Sequence, residues 1–150
     1  MVNTITHPTA CSSPSSALRC VFVYGTLRRG EQRDINLLLP TPIFMGHGQL
    51  PGTLYHLGDY PGVRLGGSQS VQGEVYQITP ELERQLDVIE EVWPQQTGEY
   101  IRQEVSVVMG CTLSAFESAS GSYQLCLVYE IAERCTQCRP VIASGNWLKR

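Results

Sequence analysis

The feature of this sequence that most constrains its fold is an apolar run that stops abruptly at a glycine-containing turn. Val21, Phe22 and Val23 are typical of a buried β-strand, and Tyr24-Gly25-Thr26-Leu27 follows at once. Glycine has no Cβ, so the backbone can turn tightly and a ligand can approach it closely. Free backbone N–H groups in such a turn can hold a carboxylate or a developing oxyanion. The turn therefore predicts an anion-binding loop; the simpler alternative is an ordinary strand-to-loop connection.

Length and charge bound the classes of protein to which the chain can belong. Its 150 residues are enough for one core. Residues 1–18 are rich in Ser, Thr, Pro and Ala, which predicts a disordered leader before a single domain over residues 19–150. Eleven basic and fourteen acidic residues, with no basic stripe, predict that nucleic acid is not a partner. The apolar runs fall short of the roughly 18 residues of a membrane-spanning helix, so we expect no membrane partner.

The six cysteines raise the question of cellular compartment. Because the N-terminus has neither the charged nor the apolar region of a secretory signal, we expect a cytoplasmic protein with mostly reduced thiols. Cys135 and Cys138 form a Cys-x-x-Cys pair, but no second pair at zinc spacing and no βαβ pattern accompany it. A polar loop near the C-terminus is therefore favoured for this pair over a metal or redox site. The three histidines also lack ligand spacing, although His47 alone remains a candidate pocket residue.

Glycine, proline and alternating apolar residues divide the rest of the chain into short elements. We expect a short helix over residues 28–39 that prolines end, and then a bent strand over residues 43–57. A turn is predicted at 58–62, followed by a strand over 71–78. Two further strands are predicted over 100–109 and 123–131, joined by a Ser/Gly-rich loop at 110–121.

One segment carries the signals of an amphipathic helix. Thr79 is a suitable N-cap, and Pro80 loses nothing by lacking an N–H at the first helical position. Pro94 is expected to end the helix. The apolar residues between them recur at i, i+4 and i+7 and form one stripe: Leu82, Leu86 and Ile89.

The acidic residues of this helix differ in their angle from the apolar stripe. At about 100° per residue, Glu90 lies roughly 70° from the centre of the stripe. Glu91 lies nearly opposite, and Glu83 and Asp87 lie further round than Glu90. The geometry therefore nominates Glu90 as the acid to be partly buried. The simpler alternative is a flank carboxylate paired with a nearby arginine.

Four motifs occur in order along the chain: Tyr24-Gly25-Thr26-Leu27, the Leu-Asp-x-x-Glu of residues 86–90, Tyr100-x-Arg102, and Ser144-Gly145-x-Trp147. Together they resemble the gamma-glutamylcyclotransferase-like proteins over about residues 20–148. The closer similarity is to the branch that contains gamma-glutamylamine cyclotransferases and their bacterial relatives. The resemblance implies an α+β fold, in which a curved, mostly antiparallel mixed β-sheet forms a partial barrel with a few packed helices.

The resemblance also implies an enzyme acting on a small γ-glutamyl molecule. The substrate's free α-amine would attack its own γ-carbonyl, giving 5-oxoproline and a released amine. Glu90 would be the general acid/base, and neither a metal nor an organic cofactor would be needed. The residues implied to bind substrate are the backbone of the turn and three side chains that line or brace the pocket: Tyr24, Gly25, Thr26, Leu27, Tyr100, Arg102 and Tyr129.

Proton transfer is the chemical obstacle to this reaction. An α-amine titrates near pH 8, whereas an ordinary glutamate titrates near 4.3, so transfer to glutamate costs about 5 kcal/mol. Partial burial beside the apolar stripe would raise the pKa of Glu90 and narrow that gap. Two alternatives to the enzyme stay open: a non-catalytic small-metabolite-binding protein of the same fold, and a cysteine-dependent hydrolase or redox protein built on Cys135 and Cys138.

Overall fold

The structure is a computed structural model that describes residues 18–92, 96–110 and 122–150. Residues 1–17 of the predicted leader, Pro94, and all but the first residue of the Ser/Gly-rich loop predicted at 110–121 lie outside the described residues. The described strands and α-helix are β1 (Arg19–Val23), β2 (Ile43–His56), β3 (Pro61–Ile78), α1 (Pro80–Ile89), β4 (Tyr100–Met109) and β5 (Tyr123–Ile131). Short 3₁₀ turns occupy Ile35–Leu37, Glu133–Thr136 and Trp147–Lys149.

The five strands close into a barrel in the order β1-β3-β2-β4-β5. β1 pairs in parallel with β5, and the other neighbouring strands are antiparallel. Two of these contacts are short: β1 meets β5 at the single pair Val21 and Leu127, and β2 meets β4 at two pairs, Gly48 with Met109 and Gln49 with Val108. The predicted α+β fold with a curved, mostly antiparallel mixed sheet is confirmed.

β2 and β3 form a long hairpin that supplies much of the barrel wall. Two register shifts bend it, between Phe44 and Gly46 and between Pro51 and Gly52, which confirms the predicted bent strand. β3 begins at Pro61, so the predicted turn at 58–62 is shorter and the strand longer than the pattern indicates. Residues 66–70 are all exposed, and for this reason they lack the apolar alternation of a half-buried strand.

Helix α1 begins as predicted and packs its stripe against the barrel. The Thr79 hydroxyl accepts a hydrogen bond from the Leu82 N–H at 3.2 Å, and Pro80 is the first helical residue. Leu82 and Leu86 are fully buried, and the partly buried Ile89 packs against the same cluster. No helix in the described part of the chain is long and apolar enough to cross a membrane.

The predicted end of α1 at Pro94 is wrong, because the helix already ends at Ile89. Glu91 adopts a left-handed conformation with φ 56°, which turns the backbone out of the helix. The N–H groups of Glu91 and Val92 then donate to the carbonyls of Val88 and Asp87, at 3.1 and 2.8 Å. This is a Schellman-type helix end, with glutamate at the position that glycine usually occupies. It leaves Glu90 as the C-cap residue.

Buried apolar residues form two clusters on the two faces of the sheet. The inner cluster fills the barrel and includes Phe22, Leu54 and Trp147. The outer cluster joins the sheet to α1 and includes Leu86 and the strand residue Tyr129. The cavity described below lies where the turn after β1 meets the end of α1.

A buried ion pair anchors the loop that follows β1. Arg28 Nε lies 3.0 Å from Glu74 Oε2 on β3, and both residues are 4% exposed. Arg28 Nη1 donates to Asn146 Oδ1 at 2.8 Å. Glu74 Oε1 accepts from the Arg29 N–H and the Tyr76 hydroxyl, at 3.0 and 2.9 Å. These contacts tie the loop, β3 and the C-terminal segment into one framework.

The C-terminal Ser-Gly-x-Trp motif packs tightly against β3. Gly145 has φ +68°, and its carbonyl accepts a hydrogen bond from the Gln72 N–H at 2.8 Å. A Cβ at Gly145 would lie 2.0 Å from the Ser70 carbonyl oxygen. The glycine therefore allows the close approach that seats Trp147, which is 1% exposed, in the inner cluster.

Replacing Gly145→Ala should therefore destabilise the fold by about 2–5 kcal/mol, because backbone strain and overpacking add. Gly67→Ala is the matched control, since Gly67 also has positive φ (+91°) but nothing lies within 4 Å of its added Cβ. The control should lose only the strain, about 1–2 kcal/mol. Urea unfolding followed by tryptophan fluorescence measures both losses. Equal losses in the two variants would contradict the tight packing of this motif.

Candidate active site

A cavity of about 200 Å³ lies between the turn after β1, the end of α1 and the start of β4. It brings together nearly all of the residues nominated from the sequence: Tyr24, Gly25, Thr26, Leu27, Glu90, Tyr100 and Tyr129. Arg102 is the nominated residue that does not line it. The lining also contains four polar residues that the sequence pattern does not nominate, Arg33, Tyr60, Glu91 and Glu99, and four apolar residues, Phe22, Val23, Pro61 and Ile89.

Three successive residues of the turn after β1, Gly25, Thr26 and Leu27, line this cavity. The carbonyl groups of these three residues accept hydrogen bonds from later N–H groups of the same loop, at 2.8–3.0 Å. Within residues 18–92, 96–110 and 122–150, the N–H groups of these three residues have no hydrogen-bond partner. Such a run of donors suits a carboxylate or an oxyanion.

Gly25 permits a close contact at the floor of this turn. A Cβ at Gly25 would lie 2.5 Å from Pro61 Cγ, a separation that packed atoms do not tolerate. Glycine is therefore required where the turn meets the first residue of β3. The result is a turn that packs closely against the barrel and lines the cavity.

Glu90 lies half-buried in the cavity at the C-cap of α1. Burial raises its pKa from 4.5 to about 7; the guanidinium of Arg33 lowers the pKa, and the nearby carboxylates of Glu99 and Glu91 raise it. Among the described residues, none donates a hydrogen bond to the Glu90 carboxylate. An acid that titrates near neutrality and has no fixed partner can take up and release a proton at the pH of a cell.

Three tyrosines form rigid walls around this acid. The Tyr24 hydroxyl donates to the Tyr129 carbonyl at 2.6 Å, and the Tyr100 hydroxyl donates to the Pro61 carbonyl at 2.7 Å. The Tyr129 hydroxyl donates to Asp87 Oδ1 at 2.7 Å. Burial raises the pKa of all three tyrosines well above the usual value, so their hydroxyls stay neutral. Their donors are committed to the protein framework.

Arg102 supports the cavity indirectly, through an acidic residue that holds one of the wall tyrosines. It donates to Asp87 Oδ2 at 2.7 Å and also to the carboxylate of Glu83. Asp87 in turn holds the Tyr129 hydroxyl. The helical angle is therefore a poor guide to burial here: Asp87 is only 6% exposed and more buried than Glu90, because Arg102 and Tyr129 satisfy its charge.

Tyr60, Glu99 and Arg33 are lining residues that the sequence pattern did not indicate. The Tyr60 hydroxyl donates to Glu99 Oε2 at 2.5 Å, which raises the Tyr60 pKa to about 12. Tyr60 was predicted only as part of a turn, and Glu99 directly precedes β4. Their meeting depends on the barrel register and not on any local pattern. For Arg33, a cationic residue shortly after the glycine turn was the one available signal.

The cysteine and histidine candidates lie away from this cavity. Cys135 belongs to the 3₁₀ turn at Glu133–Thr136, and Cys138 is exposed just after it; neither lines the cavity. His47 lies on β2 against the Phe44 ring and does not line it either. In the part of the chain that the structure describes, no three His, Cys, Asp or Glu side chains cluster as metal ligands would.

Sequence comparison places these features in a known family. Residues 21–149 match the family model described as "Gamma-glutamyl cyclotransferase, AIG2-like". The chain belongs to this family. A Vibrio cholerae protein provisionally named gamma-glutamylcyclotransferase is 39% identical to the chain over 138 residues, which is 87% of this chain and 96% of the relative.

Solved structures share the fold of this family member. An AIG2-like protein from Mus musculus superposes with a TM-score of 0.60 at 25% identity, over 82% of this chain and 84% of the mouse chain. YkqA from Bacillus subtilis gives a TM-score of 0.60 at 24% identity, over 87% of this chain. The chain spans only 39% of the length of YkqA, and the likeness to YkqA shows the fold alone.

Glu90 should make the stability of this protein fall as the pH rises. Its folded pKa of about 7 exceeds the ordinary 4.5, so the folded state holds a proton that the unfolded state releases between these values. Glu90→Gln should therefore be more stable than wild type at pH 8, by about 1–3 kcal/mol after allowing for partial exposure, and nearly equal at about pH 4, below the unfolded pKa. Urea unfolding at both pH values measures the difference. Glu81→Gln, on the exposed start of α1, is the control and should show no such pH dependence.

The left-handed Glu91 predicts a stabilising substitution. Glu91→Gly should raise the free energy of unfolding by about 1 kcal/mol, because glycine adopts φ 56° without the steric penalty of a side chain. Glu91→Ala keeps the penalty and removes the carboxylate, so it isolates the charge effect. Thermal unfolding of the two variants gives the comparison. A Glu91→Gly variant no more stable than Glu91→Ala would contradict the strained helix end.

Proposed function

We propose that this protein is a gamma-glutamyl cyclotransferase that converts a γ-glutamyl amide into 5-oxoproline and a free amine, with Glu90 as general acid/base. One observation carries the proposal: Glu90, with a pKa of about 7, lines the same cavity as Gly25, Thr26 and Leu27, and among the described residues neither its carboxylate nor their N–H groups have a hydrogen-bond partner. The reaction requires a proton acceptor near the α-amine and donors for the glutamyl carboxylate or the carbonyl oxygen. Family membership and the name of the Vibrio relative agree with this assignment.

The glutamyl half of the substrate carries both charges, and the cavity offers a complement to each. Its α-carboxylate would accept hydrogen bonds from the N–H groups of Gly25, Thr26 and Leu27. Its α-ammonium would lie between Glu90 and Glu99, which line the cavity together. Because the tyrosine hydroxyls are already engaged, the walls would hold the folded conformer by shape.

In the proposed reaction, Glu90 carries a proton from the substrate's α-ammonium to the leaving nitrogen. The Glu90 carboxylate takes a proton from the α-ammonium, and the free amine attacks the γ-carbonyl carbon. A new C–N bond closes the five-membered ring, and the carbonyl oxygen carries the negative charge of the tetrahedral intermediate. Protonated Glu90 then gives its proton to the leaving nitrogen as the old C–N bond breaks. The Glu90 carboxylate takes the remaining extra proton from the ring nitrogen, which leaves neutral 5-oxoproline, and passes that proton to the released amine, which departs as an ammonium ion.

The raised pKa of Glu90 reduces the cost of the first step. With an α-amine near 8 and an ordinary glutamate near 4.3, transfer costs about 5 kcal/mol. With Glu90 near 7, the difference is about one unit, or roughly 1.4 kcal/mol. The burial of Glu90 would therefore reduce the free-energy cost of the proton transfer by several kcal/mol.

The main alternative is a binding protein that holds a γ-glutamyl metabolite without turning it over, and Glu90→Gln separates the two. We expect wild type to release 5-oxoproline, detected by mass spectrometry, from at least one member of a γ-glutamyl peptide and amine panel. Glu90→Gln should lose about 10²–10⁴-fold in turnover while still binding 5-oxoproline in a calorimetric titration. Glu81→Gln should keep wild-type turnover. A wild type that binds the panel but forms no 5-oxoproline would establish the binding protein.

The pH dependence of the reaction gives a second test. Because Glu90 must be ionised to accept the proton, kcat/KM should rise about tenfold per pH unit below pH 7, and it should fall above about pH 8, where the substrate's α-ammonium loses its proton. Initial rates between pH 5 and 9 define this limb. A limb near 4.5, the value of an unperturbed glutamate, would contradict the role given to the buried acid.

A further inference from the structure

A second depression adjoins the proposed active site. This leaving-group groove has a volume of about 450 Å³ and shares Arg33 and Ile89 with the cavity. Its remaining lining is Gln32, Asp34, Leu37 and Leu38. The groove therefore borders the cavity at Arg33 and Ile89. A substrate whose γ-amide lies at Glu90 would have its second half within reach of the groove.

The groove has an apolar surface that is open to a ligand. Leu37 is 76% exposed, although it belongs to an ordered 3₁₀ turn. The side chain of Gln85 on α1 donates to the Leu39 carbonyl, which fixes this segment against the helix. Leu38 and Ile89 are partly buried and pack on the outer cluster. A ligand side chain that covers Leu37 would remove apolar surface from water.

The two charged residues of the groove, Asp34 and Arg33, differ in their contacts with the rest of the protein. Asp34 Oδ2 accepts from the Gly30 N–H at 2.8 Å, and its Oδ1 accepts from the backbone and side chain of Asn36, at 2.9 and 2.8 Å. The carboxylate is therefore engaged in the loop. Arg33 forms no ion pair or side-chain hydrogen bond within residues 18–92, 96–110 and 122–150, and it is exposed. The groove thus offers a cation that no described residue engages, beside an apolar floor.

We propose that this groove binds the leaving half of the substrate, and that this half is an amino acid with a large apolar side chain and a free carboxylate. The inference rests on the proposed function and narrows its substrate class. The carboxylate pairs with Arg33, and the apolar side chain lies on Leu37 and Leu38. The amino acid leaves when its nitrogen takes the proton of Glu90 and the γ-amide C–N bond breaks. A cationic leaving group, such as a polyamine, meets like charge at Arg33.

Four substrates and one variant test the role of Arg33. γ-Glutamyl-leucine and γ-glutamyl-isopentylamide differ only in the carboxylate; γ-glutamyl-glycine lacks the apolar side chain, and γ-glutamyl-putrescine is cationic. Wild type should prefer γ-glutamyl-leucine over the isopentylamide by about 10–100-fold in kcat/KM, as expected for a charge-assisted pair. Arg33→Gln should bring this ratio close to one. Because Arg33 also acts on Glu90, and that effect is common to both substrates, the ratio isolates its contact with the leaving group.

A second variant pair tests the apolar floor. Leu37→Ala should reduce the preference for γ-glutamyl-leucine over γ-glutamyl-glycine by about fivefold, because it removes most of the contact area. Leu39→Ala is the matched control: Leu39 is 72% exposed in the same segment but does not line the groove. The control should leave the preference unchanged. Both leucines are exposed, so neither variant threatens the fold.

The outcomes separate this inference from the proposed function. Turnover of all four substrates at similar rates, or a leucine-to-isopentylamide ratio that survives Arg33→Gln, overturns the groove's role and leaves the cyclotransferase intact. A preference for γ-glutamyl-putrescine overturns it as well. If wild type forms no 5-oxoproline from any of the four substrates or from the wider panel, the proposed function falls, and the groove's role falls with it.

Discussion

The site depends on the buried ion pair between Arg28 and Glu74. Each charge is almost fully removed from water, so removing either partner would strand the other at a cost of about 3–5 kcal/mol. The pair fixes the loop after β1 to β3, and the contact of Arg28 with Asn146 fixes the C-terminal segment to both. Gly25 is thereby held against Pro61, where it lines the cavity. Residues far apart in the chain thus act together on one turn.

The polar groups of the cavity are of two kinds: some are hydrogen-bonded to the protein and fix the shape of the cavity, and others are available to bind a ligand. The hydroxyls of Tyr24, Tyr100 and Tyr129 are bonded to carbonyls or to Asp87, so they define shape and stay neutral. Glu90 and the turn's N–H groups have no partner in the described part of the chain. A ligand with a carboxylate and an amine would satisfy both sets at once. The strained Glu91 places Glu90 at the helix end, which fits the tendency of strain to gather at functional sites.

Periodicity and capping residues predict much of this fold but not the details of the site. The bounds of β4 and β5 and the start of α1 follow from local alternation and from Thr79-Pro80, because these signals lie within single elements. The end of α1 does not, since a left-handed glutamate is rarer than a stop at proline. The burial of Asp87 and the pairing of Tyr60 with Glu99 depend on contacts between distant strands. The roles of Glu90 and the turn remain predictions that the geometry supports.

The central claim is that the turn's backbone donors and Glu90 face the same bound molecule. Titrating 5-oxoproline into ¹⁵N,¹³C-labelled protein, and following the amides of Gly25, Thr26 and Leu27 with the side-chain carboxyl carbon of Glu90, tests this claim most directly. The account predicts that all four signals shift together and saturate with one Kd. Shifts confined to another surface, or movement of the amides while the Glu90 carboxyl stays constant, would contradict it.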